Sequence, residues 1–133
     1  MKENGFTLIE LLIVVSIIGL FFSISFPVSM EMYNGFKASS RAQEIMLQIS
    51  GIRRDAFLYS EKKVLTSSAG ILRVNDVPMP IPDVHIRIKD AISFSRNGTT
   101  SGGRIEVYFR NQLYLVSISA PMGNLALERA NTR

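Results

Sequence analysis

The sequence contains no cysteine, no tryptophan and a single histidine among its 133 residues. Without thiols there is no disulfide framework, no thiolate metal site and no cysteine nucleophile; one imidazole also excludes a two-histidine metal site. Charge is sparse and nearly balanced, with 15 basic residues against 11 acidic for a net +4, an excess that permits an anionic partner without requiring one. What the chain does have is apolar residues, 47% of the total, with only 9 Gly and 5 Pro, so it is neither disordered nor low-complexity. Its length suits one folded domain.

The apolar residues are concentrated at the front. From Phe6 to Phe26 the only charge is Glu10, and at about 1.5 Å per residue a helix over this stretch spans about 31 Å, the thickness of a bilayer core. A secretory signal would show a shorter apolar run and a small-x-small cleavage site, for which Ser23-Ile24-Ser25 is the candidate, with a mature start at Phe26. A plain membrane anchor fits the length but not the carboxylate, since a charge at mid-membrane costs up to about 3 kcal/mol on insertion scales.

The run Met1-Lys-Glu-Asn-Gly5 followed by Phe6-Thr-Leu-Ile-Glu10-Leu-Leu-Ile-Val-Val-Ser-Ile-Ile-Gly19 closely resembles the leader and helix of type IV pilins and type II secretion pseudopilins. That resemblance implies cleavage by a prepilin peptidase after Gly5, N-methylation of the new terminus at Phe6, and retention of the apolar helix. It implies also that Glu10 neutralises the terminal amine of a neighbouring subunit during assembly, and that Pro27 bends or loosens the helix. Opposite charges in a low dielectric offset each other's desolvation, which gives the pairing a physical basis.

Beyond Pro27, the residues Ala38, Ala42, Ile45, Ile49, Ile52, Ala56 and Tyr59 recur at helical spacing with polar residues between them, which predicts an amphipathic helix reaching about Ser60. Past Thr66 the period falls to two. Val84, Ile86 and Ile88 alternate with His85, Arg87 and Lys89, and Ile105, Val107 and Phe109 with Arg104, Glu106 and Tyr108. The second run is expected to form a hairpin with Leu113 to Ser119 across a turn at Arg110-Asn111-Gln112. Shorter strands are expected at Gly70 to Val74, Ile92 to Phe94 and Leu125 to Leu127, and Pro78, Pro80 and Pro82 mark a loop. The expectation is an α+β fold of the type IV pilin-like kind: one long N-terminal helix, transmembrane in its first half, against a mainly antiparallel sheet. The parts are a leader (1–5), a transmembrane and assembly helix (6–27), an amphipathic second half (28–65) and a periplasmic sheet domain (66–133).

The strands from Ile92 to Val107, Tyr114 to Ile118 and Gly123-Asn124-Leu125 resemble those of the H-type minor pseudopilins grouped as GspH/FimT, although the basic pair usual after the last glycine is replaced by Asn124 and Leu125. The resemblance implies a minor pseudopilin near the tip of the type II secretion pseudopilus. It would be single-pass in the bacterial inner membrane with its C-terminal domain in the periplasm, and would support export of folded proteins. Its implied partners are membrane lipid before assembly, the major and other minor pseudopilins, the prepilin peptidase and the inner-membrane assembly platform. No enzymatic activity, cofactor or metal is expected. The alternative is a FimT-like minor pilin of a type IV pilus that holds DNA in natural transformation, with Arg129 and Arg133 as candidate contacts.

Other motifs read more plainly as structure. His85 alternates outward on a strand with no catalytic partners, Asp76, Asp83 and Asp90 lack calcium-loop spacing, and Gly102-Gly103 lacks the lysine of a phosphate loop. Asn97-Gly98-Thr99 matches a glycosylation sequon, but Asn-Gly is first a tight-turn dipeptide. Arg96, Arg104, Arg110, Arg129 and Arg133, with Tyr108 and Tyr114, could form a phosphate-binding patch, or simply a solvated basic face.

Overall fold

The computed structural model describes residues 5–130. The chain divides into two compact units, Met1–Phe36 and Lys37–Arg133, and one helix, α1 (Leu8–Leu58), supplies residues to both.

In the first unit, α1 is the only element among the described residues, and no side chain from residue 5 to 33 is buried. The helix is unbroken at Pro27, although proline has no N–H to offer the carbonyl one turn earlier. Ser16 and Ser29 turn their hydroxyls back onto the carbonyls of Leu12 (2.7 Å) and Ser25 (2.9 Å), so neither presents a free donor to an apolar surrounding.

In the second unit, Ala38, Ala42, Ile45, Ile49, Ile52 and Ala56 are the buried residues of α1. The three alanines keep that stripe thin, so strands can approach closely, and the isoleucines fill the space between. Tyr59, expected on the same stripe, is instead 71% exposed because the helix stops at Leu58. It stops in a Schellman motif: Ser60 takes a left-handed φ of 52°, its N–H donates to the carbonyl of Phe57, and the N–H of Glu61 donates to that of Ala56 at 3.0 Å. The chain then enters β1 (Lys63–Ser68), inside the stretch 28–65 assigned to the amphipathic half. Its sequence, Lys-Val-Leu-Thr-Ser-Ser, has too little alternation to announce a strand.

The strands build two four-stranded sheets rather than the one expected. The first has the order β3 (Val77–Met79), β2 (Ile71–Val74), β1, β5 (Ile92–Phe94); the second has β4 (His85–Ile88), β6 (Gly103–Phe109), β7 (Gln112–Ser119), β8 (Asn124–Ala130). Every pairing is antiparallel. The sheets meet where the N–H of Ile86 donates to the carbonyl of Gly70 (2.8 Å) and that of Ile88 to the Ser67 hydroxyl (2.8 Å). Alternating residues of both sheets, including Leu65, Leu72, Ile92, Phe94, Val107 and Val116, join the helix stripe in one core.

Two turns differ from expectation. Pro78 lies inside β3 and not in a loop, which is tolerable because β3 is an edge strand and a missing N–H there can face outward. The β6–β7 turn is one residue tighter than expected, since Gln112 already pairs with Phe109 and leaves only Arg110 and Asn111 to turn, Arg110 at φ 51°.

Gly103 is no spare turn residue. It pairs with Ile118 as the first residue of β6, and a Cβ there would sit 2.6 Å from Cγ1 of the buried Ile92. We expect Gly103→Ala to destabilise the fold by about 1–3 kcal/mol through overpacking. Chemical denaturation of the detergent-solubilised chain measures this, and an unchanged midpoint would show that Ile92 can move aside.

Candidate functional site

The chemistry of the first unit lies in the first turn of α1. Thr7 is the N-cap and Glu10 the third helical residue, so the stretch Thr7-Leu8-Ile9-Glu10 forms a capping box. The Thr7 hydroxyl accepts the backbone N–H of Glu10 at 3.3 Å, and Glu10 Oε2 in return accepts both the backbone N–H and the hydroxyl of Thr7, each at 3.3 Å. The carboxylate thus has local partners and also sits where the helix dipole favours negative charge. Phe6, immediately before the cap, is 78% exposed.

Around this polar turn the helix is apolar on every side. None of its side chains before Asn34 is buried, and α1 is the one helix among the described residues long and apolar enough to cross a membrane. A helix that is apolar all round needs lipid or other protein about it.

The arginines considered as a phosphate-binding patch are dispersed. By register, Arg104 pairs with Ser117 on the outward face of the second sheet, beside Glu106. Arg129 pairs with Tyr114 and therefore lies toward the core-side face, exposed at the edge strand β8. Arg110 occupies the β6–β7 turn, its guanidinium 5.6 Å from the Phe109 ring centre. Arg96 lines a groove with Lys62, beside the turn at Asn97. Arg133 lies outside the described residues. Sequence reasoning missed a different cluster: Arg53 and Arg54 of α1 face the Asn97–Thr99 turn, with Phe57 and Met122, across a groove of about 430 Å³. Only the fold brings these residues together, so no spacing in the sequence could have shown it.

His85 is exposed, and its Nδ1 lies 2.6 Å from where a Cβ on Gly70 would be; it is the left-handed φ of 76° at Gly70 that favours glycine there. Among the described residues no three His, Cys, Asp or Glu side chains gather to hold a metal ion.

With this geometry in view, residues 1–26 match the prokaryotic N-terminal methylation motif, the motif of type IV prepilin-like proteins. The chain therefore carries the N-terminal signature of a type IV pilin-like protein, and the motif implies processing by a prepilin peptidase and assembly with other pilins. Its single apolar N-terminal helix agrees with membrane anchoring of such a protein. No curated protein and no solved structure matches the chain.

On the outward face of the second sheet, the Tyr108 hydroxyl donates to Glu106 Oε2 at 2.8 Å. This bond raises the Tyr108 pKa above the ordinary phenol value, with burial and repulsion from the carboxylate adding to the rise and Arg87 opposing it. A folded-state pKa that is raised contributes stability below the ordinary tyrosine range, and that contribution is lost as pH climbs through it. Tyr108 should ionise above the ordinary tyrosine range in a spectrophotometric titration of the phenolate band. Glu106→Gln should bring it back toward the ordinary range, and Tyr108→Phe should remove that late phase.

Proposed function

We propose that the chain is a minor pseudopilin of a type II secretion system, a structural subunit near the pseudopilus tip and not an enzyme. The observation that carries this reading is the lone carboxylate at the start of the exposed, otherwise apolar stretch of α1 up to Phe26, within the matched motif of residues 1–26. In this reading the prepilin peptidase cuts after Gly5, Phe6 is methylated, and the subunit waits in the inner membrane with its helix in lipid. On incorporation the same surface moves into the apolar centre of the filament, where Glu10 meets the terminal amine of a neighbour. The capping box prepares the acid for this step: with Thr7 as its partner, Glu10 is not an isolated charge in lipid while it waits. The second unit then stands in the periplasm and contacts the other pseudopilins.

The strand pattern from Ile92 to Ile118 supports secretion as the setting, and the dispersal of the arginines supports it over the DNA-holding alternative. A phosphate track needs cations in a row along one groove, whereas Arg104 and Arg129 lie on opposite faces of their sheet.

Mass spectrometry of the chain from its native host should find a mature N-terminus at methylated Phe6. A mature N-terminus at Phe26 would mean that the apolar helix is a discarded secretory signal. Glu10→Val should leave membrane insertion unchanged but lower the amount recovered in sheared filaments by well over tenfold, because an unpaired buried amine costs several kcal/mol. Undiminished recovery would remove the charge-pairing step.

A further inference from the structure

Three Asn-Gly dipeptides occur in the sequence, at Asn4-Gly5, Asn34-Gly35 and Asn97-Gly98. Asn4 lies outside the described residues, Asn34-Gly35 is inside α1, and Asn97-Gly98 forms an exposed turn between β5 and β6. The turn is closed by the N–H of Ser95 on the carbonyl of Thr99 (2.7 Å) and the N–H of Gly98 on the carbonyl of Ser95 (3.0 Å), with Gly98 at φ 81°. Within it, the Asn97 side-chain oxygen accepts two hydrogen bonds, from the backbone N–H of Thr99 at 3.2 Å and from its hydroxyl at 2.7 Å.

We infer that Asn97 is a site of spontaneous deamidation which writes a carboxylate into a basic groove. The Gly98 nitrogen gives its proton to solvent and attacks Asn97 Cγ, forming an N–Cγ bond. Negative charge then collects on Oδ1, the atom that already holds two donors from Thr99, in the manner of an oxyanion hole. The Cγ–Nδ2 bond breaks, the leaving nitrogen takes up a proton and departs as ammonia, and a cyclic imide remains. Solvent water opens the imide, at Cγ to give aspartate or at the main-chain carbonyl to give isoaspartate. Glycine at position 98 presents no side chain to the approach. The bond from its N–H to Ser95 has to be released first, and the surrounding cations favour the deprotonated nitrogen that results.

Those cations also fix the consequence. Asn97 lines two grooves at once, one of about 430 Å³ with Arg53 and Arg54 and one of about 410 Å³ with Lys62 and Arg96. A carboxylate formed there enters two grooves whose lining includes Arg53, Arg54, which is ion-paired with Asp55 at 3.7 Å, Lys62 and Arg96, and lowers the chain's net +4 by one. This inference is independent of leader processing and filament assembly.

The full-length chain in detergent, incubated in heavy-oxygen water at near-neutral pH, provides the test, with Asn34 as internal control. In α1 the helical backbone holds the Gly35 nitrogen away from the Asn34 side chain, so Asn34 should persist. Peptide mass spectrometry should find Asn97 converting roughly tenfold or more faster than Asn34 in the folded chain, and faster than Asn97 itself in urea, where the two sites converge. Thr99→Val should slow Asn97 about fivefold by removing one donor to the developing charge, and Thr99→Ser should restore the rate. A folded-state rate at Asn97 no greater than in urea, or one indifferent to Thr99→Val, overturns the inference.

Discussion

Between Leu8 and Phe26 the helix carries Leu, Ile, Val and Phe on every side and covers none of them with its own chain. Each such side chain left in water forgoes about 1.5–3 kcal/mol relative to burial. A run of them makes a free, water-exposed form of this helix untenable by a margin larger than the whole stability of an ordinary domain. This stretch of the helix therefore calls for contact with lipid or protein, and in the proposed function the chain exchanges one for the other. Lipid tails and apolar side chains are similar solvents for Leu and Ile, so the exchange itself is nearly neutral and its direction must be decided by polar groups. Between Thr7 and Phe26 the polar side chains are few: Thr7, Glu10, Ser16, Ser23 and Ser25.

The same helix obeys a different rule after Lys37. There an alanine and isoleucine stripe faces a core, and polar residues such as Glu44 and Arg54 face water. No break in the backbone marks the change of environment; only the side-chain pattern does. The stop at Leu58 is equally local, a Schellman turn on Ser60, which paid the cost of a left-handed non-glycine residue to satisfy the last carbonyls.

Strong periodicity made much of this legible in advance. The stripe from Ala38 to Ala56 and the alternation of Ile105, Val107 and Phe109 translate directly into burial, because each repeats at the period of its element, and in the strand a one-residue slip would turn all three side chains to the other face. The pieces that were not legible lack such a signal. β1 alternates weakly because neither of its faces is wholly buried, and β3 contains a proline that only its edge position permits. The split into two sheets follows from β4 pairing along its length with β6 while touching the first sheet through only two hydrogen bonds, to Gly70 and Ser67, a choice that no local sequence pattern encodes. The candidate site divides in the same way. Thr7 and Glu10 are three residues apart, and their relation is written in the sequence as a capping box. The groove of Arg53, Arg54, Phe57 and Asn97 joins residues more than forty positions apart and exists only once the chain has folded.

The capping box also bears on why an acid at position 10 can serve both states of the subunit. In lipid, a carboxylate without partners is costly to bury. Hydrogen bonds from the Thr7 N–H and hydroxyl, together with the positive end of the helix dipole, give it partial compensation inside one subunit. Both donors are neutral, and neutral donors are weaker partners for a carboxylate than a charged amine. In the proposed assembly Glu10 is thus held by neutral local donors and keeps the capacity to pair with a charged partner. A stronger internal partner, such as an arginine on the same turn, would satisfy the acid within the subunit and remove its reason to pair outside. The sequence places no Lys or Arg between Phe6 and Phe26, so in the proposed assembly the cations open to Glu10 are terminal amines: the one that cleavage would free at Phe6 of its own subunit, and that of a neighbour.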